Sequence, residues 1–270
     1  MQALVSVPVH GEASFDPQEL KEDLLARAGI YRLLSNAFGG EPGAGFLAGL
    51  RQPEALAGLS EMGLNLDKDF TDPPLEQLEE VLAGEYTSLF ASPGGCVPVE
   101  SARLTGKLQQ EPYYEVQADY RRLGFEVRQG RFATFDDHLG VELALVAELL
   151  EQAGRAAEAA DERELRRLNK EIKRFWALHL GRWARGFGRL VERAADHSFY
   201  REMARLLQGF AEDELTRRGV KVEDADGRVI EAPKEETEGL TCGGGSMDIP
   251  PPELKSYDRP NEVPVSIVAG

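Results

Sequence analysis

The chain has 270 residues, 42% of them hydrophobic and 29% charged, with 47 acidic against 31 basic side chains and a formal net charge of -16. That supplies enough apolar matter for one large domain or two small ones, and the charge excludes a general affinity for nucleic acid or anionic lipid, both of which need clustered Lys and Arg. Cys96 and Cys242 are too few for a disulfide scaffold and share no metal-ligand spacing, and "MQALVSVPVHGEASFDPQEL" has neither a basic n-region nor a long apolar stretch, so the reading is a soluble cytoplasmic protein without membrane insertion.

Residues 1–15 read as an N-terminal extension. Asp16 is a helix N-cap with Pro17 at the first helical position, and Leu20, Leu24, Tyr31, Leu34 and Phe38 follow on one stripe. "GGEPGAG" marks an interhelical loop. Asp72 with Pro73 predicts a second start, leading into Leu75, Leu78, Leu82, Tyr86 and Leu89. "YYEVQADYRRL" predicts a third helix, closed by Gly124. A fourth carries Leu139, Leu143, Val146 and Leu150.

From Glu162 to about Arg193 one long amphipathic pattern runs through Leu165, Leu168, Ile172, Phe175, His179, Trp183, Phe187 and Leu190. "SFYREMARLLQGFAEDEL" then repeats it, with Ser198 as cap. No alternating run competes as a strand. The prediction is an all-α fold, a single helical bundle domain over residues 16–218 with about six or seven main helices. Beyond Gly219 the composition turns acidic and rich in Pro and Gly with no helical stripe, which predicts an extended or disordered tail over 219–270. A solvated appendage is the simpler reading of that tail; docking on its own domain or on a partner is the alternative.

Charge divides along the same lines. Residues 1–154 carry 11 basic and 25 acidic side chains, 155–218 carry 15 and 11, and 219–270 carry 5 and 11. A cationic partner therefore suits the first half.

The stretch "FATFDDHLGVELALVAELL" places Asp136, Asp137 and His138 at a helix start, where carboxylates complement the helix dipole, and puts His138 and Glu142 on one face. A metal site needs further ligands at comparable spacing, and His10, His179 and His197 form no HxxxH, HExxH or ExxH pair. Spacing therefore favours helix capping and a buried, hydrogen-bonded histidine over metal or general-base chemistry. Motifs for nucleotide binding, nucleophilic elbows and CxxC are absent.

A second stretch, "EYTSLFASPGGCVPVESARL", ends a helix at Phe90, turns at Pro93-Gly94-Gly95 and keeps the residue before Pro98 extended, so Glu100 and Ser101 alone would read as a loop or capping pair.

Together these stretches carry more than either alone. E-Y-x-x-L-F with P-G-G-x-V-P-V-E-S, then D-D-H-L-x-x-E-L, then "FWALHLGRWARGFGRLVERAADHSFYREMARLL" resemble, over about residues 18–215, the TorD/DmsD/NarJ family of cytoplasmic chaperones for molybdenum enzymes. The resemblance implies a non-enzymatic helical protein, monomer or homodimer, that binds an apo-molybdoenzyme by its twin-arginine leader or N-terminal segment. It would bind no cofactor stably itself, and would act on a client that receives molybdopterin guanine dinucleotide.

Carried over by position, the family's loop motif falls on Tyr86, Phe90, Pro98, Glu100 and Ser101, and its acidic-histidine motif on Asp137, His138, Leu139 and Glu142, with the neighbouring Asp136 as a further client-binding candidate. The implied role of these residues is client or leader recognition, although core packing is the better reading for Tyr86, Phe90 and Leu139, and for the stripe Trp176, His179, Trp183 and Phe187. Two other classes stay open at this stage: a helical adaptor retained in a finished redox complex, and an enzyme using His138 with Asp137 and Glu142.

Overall fold

The computed structural model describes residues 16–128, 134–226 and 266–269. The N-terminal extension 1–15 and the greater part of the tail, 227–265, lie outside the described residues, and His10 and Cys242 with them.

The first helix, α1 (Pro17–Phe38), starts as its sequence requires, with the Asp16 carboxylate accepting from Gln18 N at 2.9 Å and Pro17 at its head. Its stripe of Leu24, Tyr31, Leu34 and Phe38 is buried against α8 (Leu139–Glu158). Nearly every side of α8 is buried, and it forms the axis of the domain. The α1–α8 crossing is close because two glycines meet there. A Cβ on Gly140 would lie 2.5 Å from Gly39 Cα and 3.0 Å from Gly39 N, while Ser35 Oγ donates to Gly140 O at 2.7 Å. Gly140→Ala therefore pushes backbone against backbone and is expected to cost about 1–3 kcal/mol of stability. Thermal unfolding of the variant checks this; an unchanged midpoint would show that the two helices part without cost.

Short helices α2 (Ala44–Leu50), α3 (Pro53–Glu61) and α4 (Lys68–Thr71) lead into α5 (Leu75–Tyr86). Here the expected start at Asp72 is corrected: Asp72 closes α4, and α5 begins after Pro74. The ring of Pro74 disfavours the helical region at Pro73, and Pro74 is itself extended at ψ 146°, so the helix opens only at Leu75. The chain continues past α5 in a π-helical turn, Thr87–Ala91, that turns both Leu89 and Phe90 inward. α6 (Glu100–Thr105) and α7 (Glu111–Leu123) follow, α7 ending on Gly124 in the left-handed conformation as its sequence predicts.

The long pattern after Glu162 is broken. α9 (Glu162–Leu178) stops at His179, a 3-10 turn spans Leu180–Arg182, and α10 (Ala184–Ala194) restarts the chain. Gly181 permits the turn, since a Cβ there would sit 2.4 Å from Trp176 O. Periodicity concealed the break because buried apolar residues continue on both sides of it, Ile172 and Phe175 before and Phe187 and Val191 after. α11 (Ser198–Arg218) closes the bundle, packed mainly on α10. Its cap is His197, whose Nδ1 accepts from Phe199 N at 3.1 Å, and not Ser198, whose N–H and hydroxyl both donate to Asp69.

Two further corrections concern strands and the tail. β1 (Phe125–Arg128) and β2 (Ser266–Ala269) form an antiparallel pair, with Phe125 opposite Ala269 and Arg128 opposite Ser266. The domain is otherwise all-α. The chain also stays on the domain past Gly219: Val220 and Val222 are half-buried against the core, and the buried Asp226 accepts from Arg103 of α6 at 2.6 Å. Small residues make room for this segment, since a Cβ on Gly181 would meet Val222 at 2.9 Å and one on Gly186 would meet Asp226 at 2.7 Å. Residues 219–226 are therefore a strap across the 3-10 turn and α10. Of the two readings of the tail, docking on its own domain describes residues 219–226; acidic composition does not reveal a half-buried basic partner on another helix.

Candidate functional site

The two motif stretches meet where α6 and α8 begin. Leu139 N donates to Pro98 O at 2.9 Å and Glu100 N donates to Asp137 O at 2.8 Å, forming an antiparallel bridge between Val99 and His138. This bridge sets the N-termini of α6 and α8 side by side and leaves each with unpaired donors. Asp137 serves α6 from across the bridge, its Oδ2 accepting from Ser101 N at 2.8 Å. His138 serves its own helix, its Nδ1 accepting from Gly140 N at 3.1 Å. That acceptor role requires the neutral ring with its proton on Nε2, and burial lowers the His138 pKa to about 4. His138 is a capping residue at neutral pH.

Behind the bridge lies a buried ionic row. His179, turned inward by the break between α9 and α10, sits with Nδ1 3.0 Å from Glu100 Oε2 and Nε2 3.5 Å from Asp119 Oδ2 of α7. Burial opposes a charge on the ring, yet the two carboxylates push its pKa up to about 9, so His179 is an imidazolium. Asp119 also accepts from Arg174 at 2.7 Å; these contacts outweigh its burial and hold it down at about 2. Glu100 is raised by burial, with His179 offsetting part of the effect. Glu142, one helical turn beyond His138, is driven well above the carboxylate range by burial and then by the charges of Glu100 and Asp137, which favours its neutral form. Neither Glu142 oxygen has a well-formed partner, nor does Trp183 Nε1, Glu100 Oε1, Asp137 Oδ1 or Ser101 Oγ.

The structure thus gathers Pro98, Glu100, Ser101, Asp136, Asp137, His138 and Glu142 in one place, and buries all but Asp136. Glu100, Ser101, Asp137 and Glu142 are 0% exposed and His138 is 7% exposed, so a client cannot touch their side chains in this conformation. Tyr86 lies outside the cluster, half-buried with its ring on Phe90. The stripe of Trp176, His179, Trp183 and Phe187 is core, with His179 as its charged member.

Asp136 is the motif residue that turns outward. Its Oδ2 accepts from Gln117 Nε2 at 2.7 Å and its carbonyl from the Tyr120 hydroxyl at 2.9 Å, which fixes it at one side of a groove of about 630 Å³. Tyr113, Gln117, Tyr120 and Arg121 of α7, Gly124, and Phe125, Glu126 and Val127 of β1 complete the lining. Asp119 and Gln117 were missed in the sequence. A signal for Asp119 was present: it stands three residues after Val116 and beside Tyr120, an acid on the apolar stripe of α7.

No described helix is long and apolar enough to cross a membrane, and among the described residues no group of His, Cys, Asp and Glu is arranged to hold a metal. The chain belongs to the nitrate reductase delta subunit family, which matches residues 52–189 and comprises the NarJ/TorD-type chaperones for redox enzymes; it is a maturation chaperone, not an enzyme. A crystal structure of a protein assigned to redox enzyme maturation, from Archaeoglobus fulgidus, is similar at 20% identity, with 76% of this chain and 99% of that chain covered and a TM-score of 0.38. No curated protein matches the chain.

Proposed function

We propose that this protein is a client-specific chaperone that acts in the cytoplasm on an apo-molybdoenzyme. It binds the client's twin-arginine leader or N-terminal segment and holds the enzyme back until molybdopterin guanine dinucleotide is in place. The observation that carries this reading is the exit of Asp136 from an otherwise buried motif into the α7–β1 groove. The groove suits a basic, partly apolar peptide: two carboxylates, Asp136 and Glu126, outnumber the guanidinium of Arg121 and stand beside the aromatic and aliphatic faces of Tyr113, Phe125 and Val127. The acidic balance of residues 1–154 adds long-range attraction for paired arginines. On this reading Glu100, Ser101, Asp137, His138 and Glu142 act at one remove, by fixing the bridge that aims Asp136.

The test is a tagged pull-down from the native cytoplasm, with partners identified by mass spectrometry and the recovered precursor compared with and without its leader. Recovery of one molybdoenzyme precursor, lost on deletion of the leader, is the expected result. Asp136→Ala is expected to weaken capture about fivefold, since a half-exposed charge pair is worth about 1 kcal/mol, and added salt should weaken wild-type capture. Capture of no molybdoenzyme precursor would remove this reading; capture indifferent to Asp136 and salt would move the contact to another face.

A further inference from the structure

In a domain made of helices, β1 is exceptional, because a lone strand leaves its ladder of N–H and C=O groups unpaired and open to any extended segment. That edge is occupied in register by Ser266–Ala269, from Phe125↔Ala269 to Arg128↔Ser266, and β2 also lies alongside α8. The occupying segment differs in composition from the tail that delivers it. Residues 219–262 hold all the charged side chains of the tail, whereas "VPVSIVAG", 263–270, has none and is rich in β-branched residues. The near end of the tail is separately anchored, by Asp226 on Arg103 and by the strap over Gly181 and Gly186. The tail thus meets the domain at α6, three residues beyond Glu100, and again at β1, beside the groove that holds Asp136.

We propose that β1 is a strand-acceptor edge whose resident occupant is the chain's own C-terminal strand, paired within the same molecule. The occupant is displaceable: a two-stranded ladder of four residue pairs is marginal by itself, so what keeps the strand in place is its tether to the domain. An extended, uncharged, β-branched segment supplied in trans must then compete with a tethered copy of the same chemistry. This pairing does not depend on the identity of the client or on leader binding.

The experiment uses a fluorescent peptide of residues 263–270, the full chain, a chain ending at residue 262, and the full chain carrying Ile267→Pro, whose fixed φ and missing N–H disfavour strand pairing. The peptide is expected to bind the shortened chain and Ile267→Pro, and to bind the full chain about tenfold or more weakly, because tethering raises the local concentration of the resident strand. Val127→Pro in the shortened chain should abolish that binding, with helical circular dichroism retained. Equal binding to full and shortened chains, or none to the shortened chain and Ile267→Pro alike, overturns the proposal. So does a full chain that elutes as a dimer and exchanges labelled C-terminal strands between copies, since the occupant would then be a second molecule.

Discussion

His179→Gln is expected to lower the unfolding free energy by about 3–5 kcal/mol near neutral pH, the cost of stripping a buried carboxylate of its cation. The variant leaves Glu100 facing a neutral amide where an imidazolium stood 3.0 Å away. A double variant, His179→Gln with Glu100→Gln, removes both charges and should recover part of the loss. The double variant, in which neither member of the pair titrates, is also the reference for the pH dependence of the pair. A histidine raised from 6.5 to about 9 in the folded state stabilises in full below pH 6.5, and that contribution disappears as pH rises through about 9. A shift of that size corresponds to about 3 kcal/mol. Wild type should therefore lose about 3 kcal/mol relative to the double variant between pH 6.5 and 9, measured by urea unfolding at several pH values. Parallel stability curves over that range would mean that His179 is neutral and that the ionic row is assigned wrongly. His138, depressed to about 4, works in the opposite window: its stabilisation is present above pH 6.5 and lost as pH falls through about 4.

Glu214→Ala should be at least as damaging, through a different cluster. Glu214 of α11, 1% exposed, accepts from Arg27 of α1 at 2.6 and 2.8 Å, from the Tyr31 hydroxyl at 2.7 Å and from Arg218 at 2.9 Å, and Tyr31 in turn accepts from Trp176 Nε1 at 2.7 Å. One carboxylate thus ties α1, α9 and α11 together while neutralising two guanidinium groups. Its removal leaves both cations without their shared partner in a site closed to water, at a cost of about 3–5 kcal/mol. Glu214→Gln keeps the shape and should cost less than Glu214→Ala, because two donors can still find the amide oxygen. Denaturant midpoints for the two variants decide this. A loss below about 1 kcal/mol for Glu214→Ala would show that water enters and that the cluster is solvated.

The site was legible in the sequence to the extent that its residues occupy local positions. Asp137 and His138 stand at a helix start and both cap, which the spacing favoured over metal or base chemistry. That Asp137 caps α6 and not its own helix was not legible, because the acceptor and the donor are brought together only by the Val99–His138 bridge. That Glu100, Ser101 and Glu142 are buried was not legible for the same reason. Polar residues on a loop read as exposed until another helix closes over them, and here α7 and the break at His179 supply that closure.

What the sequence by itself determined is the set of local elements: the cap and proline that open α1, the glycine that ends α7, and the apolar stripes of α8 and α11, all governed by interactions within a few residues of chain. Tertiary structure alone decided which polar groups became charged, buried or exposed. The pKa of His179 depends on carboxylates 79 and 60 residues away in the chain, the strap's hold on Arg103, 123 residues from Asp226, depends on glycines that let it approach, and β1 has a partner only through Ser266–Ala269. Burial and charge pairing are properties of neighbourhoods in space, and helical periodicity carries no information about which distant residue completes them.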